Sequence, residues 1–236
     1  MRGILLIDKP LGLSSAGAVG RLRRRTGKAV PVGHGGTLDP LATGLLVLLV
    51  GPATKRSDPI TRGDKTYEAT VRFGFSTAGD DREGLPSHWG HFPSLARGRI
   101  EQVLAAFVGE LLQRPPAFSA KKIRGVPSYR LARRGYAAPG EPEPITIHSI
   151  ESVRWSAPLL SFTIHCSKGT YVRSLARDLG EALGCPAHLY ALRRTHSGPF
   201  PLSAALPLQN LELLPQEDLA ALAEKMERRF FPLPNA

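Results

Sequence analysis

A single carboxylate, Asp39, stands inside the stretch Gly33-His34-Gly35-Gly36-Thr37-Leu38-Asp39-Pro40-Leu41-Ala42-Thr43-Gly44. Four glycines and a proline let the backbone of such a loop approach a ligand closely and take dihedrals that other residues avoid. The chain around Asp39 is cationic, which favours its ionised form. A loop-borne carboxylate in such a setting is a candidate functional residue. Asp-Pro is also a common turn pair, and the residues by themselves leave both readings open. The second candidate is Cys166-Ser167-Lys168-Gly169-Thr170-Tyr171-Val172-Arg173. It leaves a strand, turns at Gly169 and enters a helix with Arg173 in the first turn, where a cation opposes the helix dipole. Arg173 is therefore expected to have a carboxylate or phosphate partner.

Other chemistries find no support. The sequence holds no G-x-x-x-x-G-K-[ST], H-E-x-x-H or G-x-S-x-G, and Gly33–Leu38 does not satisfy G-x-G-x-x-G. The seven histidines have no ligand spacing, and Cys166 and Cys185 form neither a disulfide framework nor a zinc set. No metal and no cofactor is expected. The two cysteines read as buried small hydrophobes of a reduced, cytoplasmic protein. The longest aliphatic run, Leu45–Val50, is too short to span a bilayer, and Asp8 interrupts the N-terminal run before it could act as a signal.

The partner is indicated by charge. The chain has 236 residues and a formal net charge of +11, which calls for a polyanion or an anionic surface. The excess is clustered. Lys9–Leu38 carries six basic residues and no acid, Arg21 and Arg23 among them. Leu111–Gly140 carries seven and again no acid, including Lys121, Lys122 and Arg124. Phe118, Tyr129 and Tyr136 interleave with the second cluster, and aromatics stack on unpaired bases. Ser203–Ala236 is different, with five acids against three bases.

The elements that must position these residues follow from apolar spacing. Ile4–Ile7 and Leu45–Val50 read as buried strands, and Tyr67–Phe75 as an alternating one. Ser14 or Ser15 caps a helix towards Arg25, with Val19 and Leu22 on its apolar side. Ile100, Val103, Leu104 and Phe107 form a helical stripe. Ile145–Val153 and Leu159–Cys166 are strands separated by a turn at Ser156-Ala157-Pro158. Val172, Leu175, Ala176 and Leu179 repeat the helical stripe, stopped at Gly184. A last helix runs over Gln216–Arg229. This irregular alternation predicts an α/β or α+β fold with a mixed sheet. Gln113–Pro144 has little core pattern and reads as an excursion from the main domain.

At these residues the sequence resembles the bacterial tRNA pseudouridine-55 synthases of the TruB type, from Gly3 to about Phe200. The markers are Ile7-Asp8-Lys9-Pro10, Gly33–Gly44, Lys65-Thr66-Tyr67, Pro115-Pro116-Ala117-Phe118-Ser119-Ala120-Lys121, Cys166–Arg173 and Leu192-Arg193-Arg194. The resemblance implies a pseudouridine synthase fold, with a mixed, mostly antiparallel central sheet flanked by helices. It implies a catalytic domain over 1–200 with 113–144 as an RNA-gripping insertion, and a short extension over 201–236, too short for the PUA domain that many members carry.

The resemblance also implies roles. Asp39 matches the aspartate that attacks the target ribose, so that the C1′–N1 bond breaks and uracil rejoins the sugar through C5. Arg173 matches the arginine that pairs with it. Tyr67 matches the tyrosine that stacks on the target base and is a candidate for the C5 proton transfer. Tyr171 and Leu192 match walls of the base pocket, and His34 the residue that fills the gap left by the flipped nucleotide. Lys9 and Asp81 join the substrate-binding set, Asp81 as a partner of the arginine. Tyr67 and Leu192 could instead be plain core residues, and His34 a loop residue. Lys121, Lys122, Arg124, Arg21 and Arg23 are the expected contacts to the RNA backbone. The implied partner is the T-arm of tRNA, and the implied state a monomer. Departures are Ala78 for a common Asp, Phe118 for a common Tyr and Gly35 for a common Thr. Two rival readings are a tRNA-binding or tRNA-folding protein that acts by binding alone, and a glycosidase. The glycosidase would need two acids flanking one bond, and the glycine-rich loop offers one.

Overall fold

The computed structural model describes residues 1–27, 29–91, 95–118 and 140–231, with the backbone of 122–123 and 126–127. In chain order the strands are β1 (Gly3–Lys9), β2 (Val32–His34), β3 (Ala42–Val50), β4 (Lys65–Phe73), β5 (Phe75–Thr77), β6 (Pro86–Trp89) and β7 (Gly109–Gln113). They continue with β8 (Lys122–Ile123), β9 (Val126–Pro127), β10 (Glu143–Ser156), β11 (Leu159–Cys166), β12 (Ala187–Ser197), β13 (Phe200–Pro201) and β14 (Leu206–Pro207). The α-helices are α1 (Ser15–Thr26), α2 (Ser57–Arg62), α3 (Arg97–Ala106), α4 (Val172–Leu183), α5 (Leu208–Leu213) and α6 (Gln216–Phe230). The fold is mixed α/β with mostly antiparallel strand pairing. The chain divides into two compact units, Met1–Tyr67 with Arg193–Ala236, and Glu68–Leu192.

In the first unit β1 lies antiparallel to β3 along its whole length, from Gly3↔Val50 to Lys9↔Gly44. β2 also pairs with β3, and β14 joins β1 in parallel. β3 is an unbroken apolar run because both of its faces are buried, which removes the alternation of a half-exposed strand. One side of this core holds Ile4, Leu6, Leu45, Val47, Leu49, Ile60 and Phe200, with Met226 and Phe230 of α6 packed against it. Each fully buried Leu or Ile of this kind stabilises the fold by roughly 1.5–3 kcal/mol. Ser14 caps α1 as expected, its Oγ accepting from Gly17 N at 3.0 Å, and Arg23, Arg24 and Arg25 occupy the last turn, where the dipole favours cations.

Gly44 is fixed by two separate constraints. Its φ is +95°, and a Cβ there would collide with the backbone of Arg194. Gly44→Ala should therefore destabilise the protein by about 2–4 kcal/mol, read as a lowered midpoint in urea denaturation.

In the second unit β4, β11, β10 and β7 are neighbours in that order. Ala69, Val71 and Phe73 are buried on one face of β4, and Leu160, Phe162, Ile164 and Cys166 on one face of β11. The strand expected over Tyr67–Phe75 ends earlier, at Phe73. Gly74 takes φ +109° and donates its N–H to Pro186 O at 2.8 Å. Phe75 thereby opens β5 and packs against Trp89 and His188, both at 4.5 Å between ring centroids. α4 buries the predicted stripe Val172, Leu175, Ala176 and Leu179 and ends at Gly184 in the left-handed region, φ +68°. β7 and β10 pair from Gln113↔Glu143 to Gly109↔Ile147, so the chain leaves for the 113–144 segment and returns from it on adjacent strands.

Cys166 and Cys185 are both buried, and burial pushes the Cys185 thiol up. Among the described residues no helix is long and apolar enough to cross a membrane.

Candidate active site

The glycine-rich loop is held from three directions by buried side chains. Ser15, in the first turn of α1, donates its hydroxyl to Leu38 O at 2.9 Å and accepts Leu38 N–H at 2.8 Å. Lys9, 0% exposed at the end of β1, donates Nζ to Pro10 O at 3.0 Å and to Leu13 O, and reaches Pro40 O at 3.5 Å. Arg194, 1% exposed in β12, donates Nε to Leu45 O at 2.8 Å, Nη2 to Gly36 O at 3.1 Å and Nη1 to Thr37 O at 3.4 Å. Main-chain bonds add Gly35 N–H to Val47 O (2.8 Å), Gly12 N–H to Pro40 O (2.9 Å) and Ala42 N–H to Asp39 O (3.1 Å). The backbone on either side of Asp39 is thus bound to β1, α1, β3 and β12. Asp39 itself is half-buried. A carboxylate placed this way loses little freedom when it meets a substrate, which is what a nucleophile requires. Gly35 has a local reason as well, because a Cβ there would collide with the Ile60 side chain.

His34 ends β2, opposite Leu48. Its Nδ1 is buried and has no hydrogen-bond partner among the described residues. Burial first, and the nearby Arg194 charge second, push its pKa below the ordinary 6.5. His34 is therefore neutral at pH 7, and its imidazole should protonate only below pH 6.5 in an NMR titration of the free protein. The unfolded chain binds this proton more readily than the folded one, so the His34 contribution to stability is complete above pH 6.5 and shrinks as pH falls.

In the second unit Arg173 is 5% exposed, the second residue of α4. Its Nε lies 3.8 Å from Asp81 Oδ2, Nη1 donates to Gly79 O at 3.2 Å, and Nη2 donates to Phe118 O at 3.0 Å. The carboxylate expected of an arginine at a helix N-terminus is present there as Asp81. The Asp81 segment is fixed in turn by Thr77 Oγ1 donating to Asp81 O at 2.6 Å, and by Arg177 pairing with Asp80 at 3.1 Å. Burial raises the Asp80 and Asp178 carboxyls, and Arg177, bonded to both, opposes that rise. Tyr171 is the N-cap of α4. Its backbone is gripped by Gln113, whose Nε2 donates to Tyr171 O at 3.1 Å and whose Oε1 accepts from Tyr171 N at 2.8 Å.

The remaining candidates fall as follows. Tyr67 in β4 and Leu192 in β12 are each 9% exposed. Asp39, His34, Lys9 and Tyr67 belong to the first unit, and Arg173, Tyr171, Asp81 and Leu192 to the second. Arg21 pairs with Glu212 at 3.6 Å, and Arg23 donates to Val32 O at 3.2 Å. Lys121 and Arg124 lie outside the described residues, and of Lys122 only the backbone is described, in β8.

Ser15, Gln113, Arg177 and Arg194 are the residues that sequence reasoning left without a place in the site. The signal that could have found Arg194 was its position in Leu192-Arg193-Arg194 on a strand, where alternation sends one of two adjacent arginines inward. Arg193 points elsewhere and pairs with both oxygens of Asp8, at 2.7 and 3.1 Å.

Comparison with known proteins identifies the family. Residues 23–172 match the TruB family pseudouridylate synthase N-terminal domain, and residues 173–233 the tRNA pseudouridylate synthase B C-terminal domain. The chain is 42% identical to the tRNA pseudouridine synthase B of Opitutus terrae over 99% of its own length and 94% of the relative's. It is 46% identical to that of Bordetella pertussis over 94% and 91%. Among solved structures, a chain in the crystal structure of a Cbf5-Nop10-Gar1 complex is 30% identical with a TM-score of 0.68. That match covers 89% of this chain and 53% of the other, so this chain spans about half of that one's length. A glycine-rich loop locked around one carboxylate, carried on a sequence that matches these relatives almost end to end, places the chain in the TruB family of pseudouridylate synthases.

Proposed function

We propose that this pseudouridine synthase acts on tRNA, converting uridine 55 of the T-loop to pseudouridine with Asp39 as nucleophile. The observation that carries the reading is the Asp39 loop, an acid on a backbone bound by buried Lys9, Ser15 and Arg194. Relatives of nearly the same length named tRNA pseudouridine synthase B support the choice of tRNA.

In this reading the target nucleotide is flipped out of its stack, because C1′ is otherwise shielded. The Asp39 carboxylate attacks C1′ as the C1′–N1 bond breaks, and the uracil leaves with the bonding pair on N1. The base turns within its pocket, C5 bonds to C1′, and the carboxylate departs. N1 takes up one proton and C5 gives up one, so the reaction is an isomerisation with no net change of oxidation state and needs no cofactor. Arg173 pairs with the nucleophile and orients it. Tyr67 stacks on the base and stands as the candidate for moving the C5 proton, and Leu192 and Tyr171 wall the pocket. His34, neutral at pH 7, fills the gap in the T-loop. The basic residues of 113–144, with Arg21 and Arg23, hold phosphates. The enzyme works as a cytoplasmic monomer.

The test is to incubate an unmodified tRNA transcript with the protein and map pseudouridine at base resolution. Modification at uridine 55 alone is expected. A transcript bound but left unmodified would mean a protein that acts by binding, and modification elsewhere would overturn the choice of position.

A further inference from the structure

Arg194 is the largest fully buried side chain among the described residues. Burying a guanidinium is costly unless an anion or a full set of acceptors replaces water. Among the described residues Arg194 forms no ion pair. Its acceptors are three main-chain carbonyls, Gly36 and Thr37 just before Asp39 and Leu45 after it. Nε, Nη1 and Nη2 are used at the same time, an arrangement that only the planar fork of arginine supplies. Close packing of Gly44 on the Arg194 backbone leaves no room for a side chain between them. The charge of Arg194 is also felt at His34, on the same loop. A cation so expensive to bury, spent on the carbonyls that bracket one carboxylate, has its use at that carboxylate.

We infer that Arg194 is a positioning residue for Asp39, joining the two ends of the glycine-rich loop so that the carboxylate leaves it in one direction only. The inference rests on the reading of Asp39 as the nucleophile. Replacing Arg194 frees the carbonyls of Gly36, Thr37 and Leu45 and lets the loop rotate about its glycines. The Ser15 and Lys9 bonds still hold Leu38 and Pro40, so the loop stays folded but the carboxylate loses its aim. The loss should therefore appear in turnover and not in RNA affinity. Misplacement of a reacting group by about 1 Å costs about 100-fold in rate.

Arg194→Met and Arg194→Lys are compared with wild type and Asp39→Asn. Circular dichroism checks folding, filter binding measures tRNA affinity, and tritium release from a transcript carrying [5-3H]uridine gives kcat and KM. Arg194→Met should lower kcat by about 100-fold and leave KM and tRNA affinity within about threefold of wild type. Arg194→Lys, which keeps the buried charge but not the fork, should recover part of kcat. A folded Arg194→Met with wild-type kcat overturns the inference, and so does a raised KM at unchanged kcat, which would assign Arg194 to RNA binding. Should Arg194→Met not fold, Arg194→Lys decides, because a wild-type kcat there is incompatible with a role that depends on the fork. An active Asp39→Asn would remove the nucleophile reading and this inference with it. An inactive Asp39→Asn beside a fully active Arg194→Met would overturn this inference alone.

Discussion

Asp39→Asn should lower pseudouridine formation by roughly 10⁴-fold or more while leaving tRNA affinity within a few-fold of wild type. The substitution keeps the size and shape of the side chain. The hydrogen bonds that hold the loop use main-chain atoms of Gly35, Gly36, Thr37, Leu38 and Pro40, so the variant keeps its backbone. What it loses is the negative charge, and a neutral amide does not attack C1′. Pseudouridine mapping and filter binding on the same preparation check both halves. Turnover at wild-type level in Asp39→Asn would refute the nucleophilic role.

Arg173→Met should cost both stability and turnover. The pair of Arg173 and Asp81 is buried, with side chains 5% and 11% exposed. Removing the guanidinium leaves the Asp81 carboxylate without this cation and the carbonyls of Gly79 and Phe118 without their donor. Breaking a buried pair from one side destabilises by about 3 kcal/mol, visible as a lower urea midpoint. Turnover should fall by about 10²–10³-fold, because the cation proposed to face the nucleophile is gone. Adding Asp81→Asn to Arg173→Met should restore part of the stability, since one buried charge fewer then faces the loss of Arg173, and none of the turnover. If Arg173→Met were as stable and as active as wild type, neither the buried pair nor the catalytic assignment could stand.

Most of the fold was legible because its signals are local. The Ser14 cap, the alternation along β4, the stripe of α4 and its Gly184 stop each depend on a few adjacent residues. Asp39 stood out as a candidate because an acid among glycines and cations is conspicuous. Arg194 did not, since its role depends on a strand far along the chain meeting Gly36 and Leu45. Nothing in Leu192-Arg193-Arg194 says which arginine turns inward. The early end of β4 was missed for a similar reason. The apolar alternation continues to Phe75, but Gly74 is drawn aside by Pro186, distant in sequence. Ser15 read as an alternative helix cap, and its bonds to Leu38 were equally out of reach of local reasoning.

The exit of the 113–144 segment is fastened to α4 at successive points. Gln113 holds Tyr171, the carbonyl of Arg114 accepts from Ser174 at 2.8 Å and from Arg177 at 3.2 Å, and the carbonyl of Phe118 accepts from Arg173. Tyr171, Arg173, Ser174 and Arg177, the N-cap and first turns of α4, form a rack along which the departing chain is pinned, and Arg173 is one of its teeth. If RNA holds the 113–144 segment as proposed, a pull on this stretch reaches Arg173 through the Phe118 carbonyl. On the proposed mechanism this would couple recognition to chemistry, so that binding energy gained far from the reacting uridine sets the arginine. An RNA cut short so that it no longer pulls on 113–118 should then be bound and yet turned over slowly, with the deficit in kcat more than in KM.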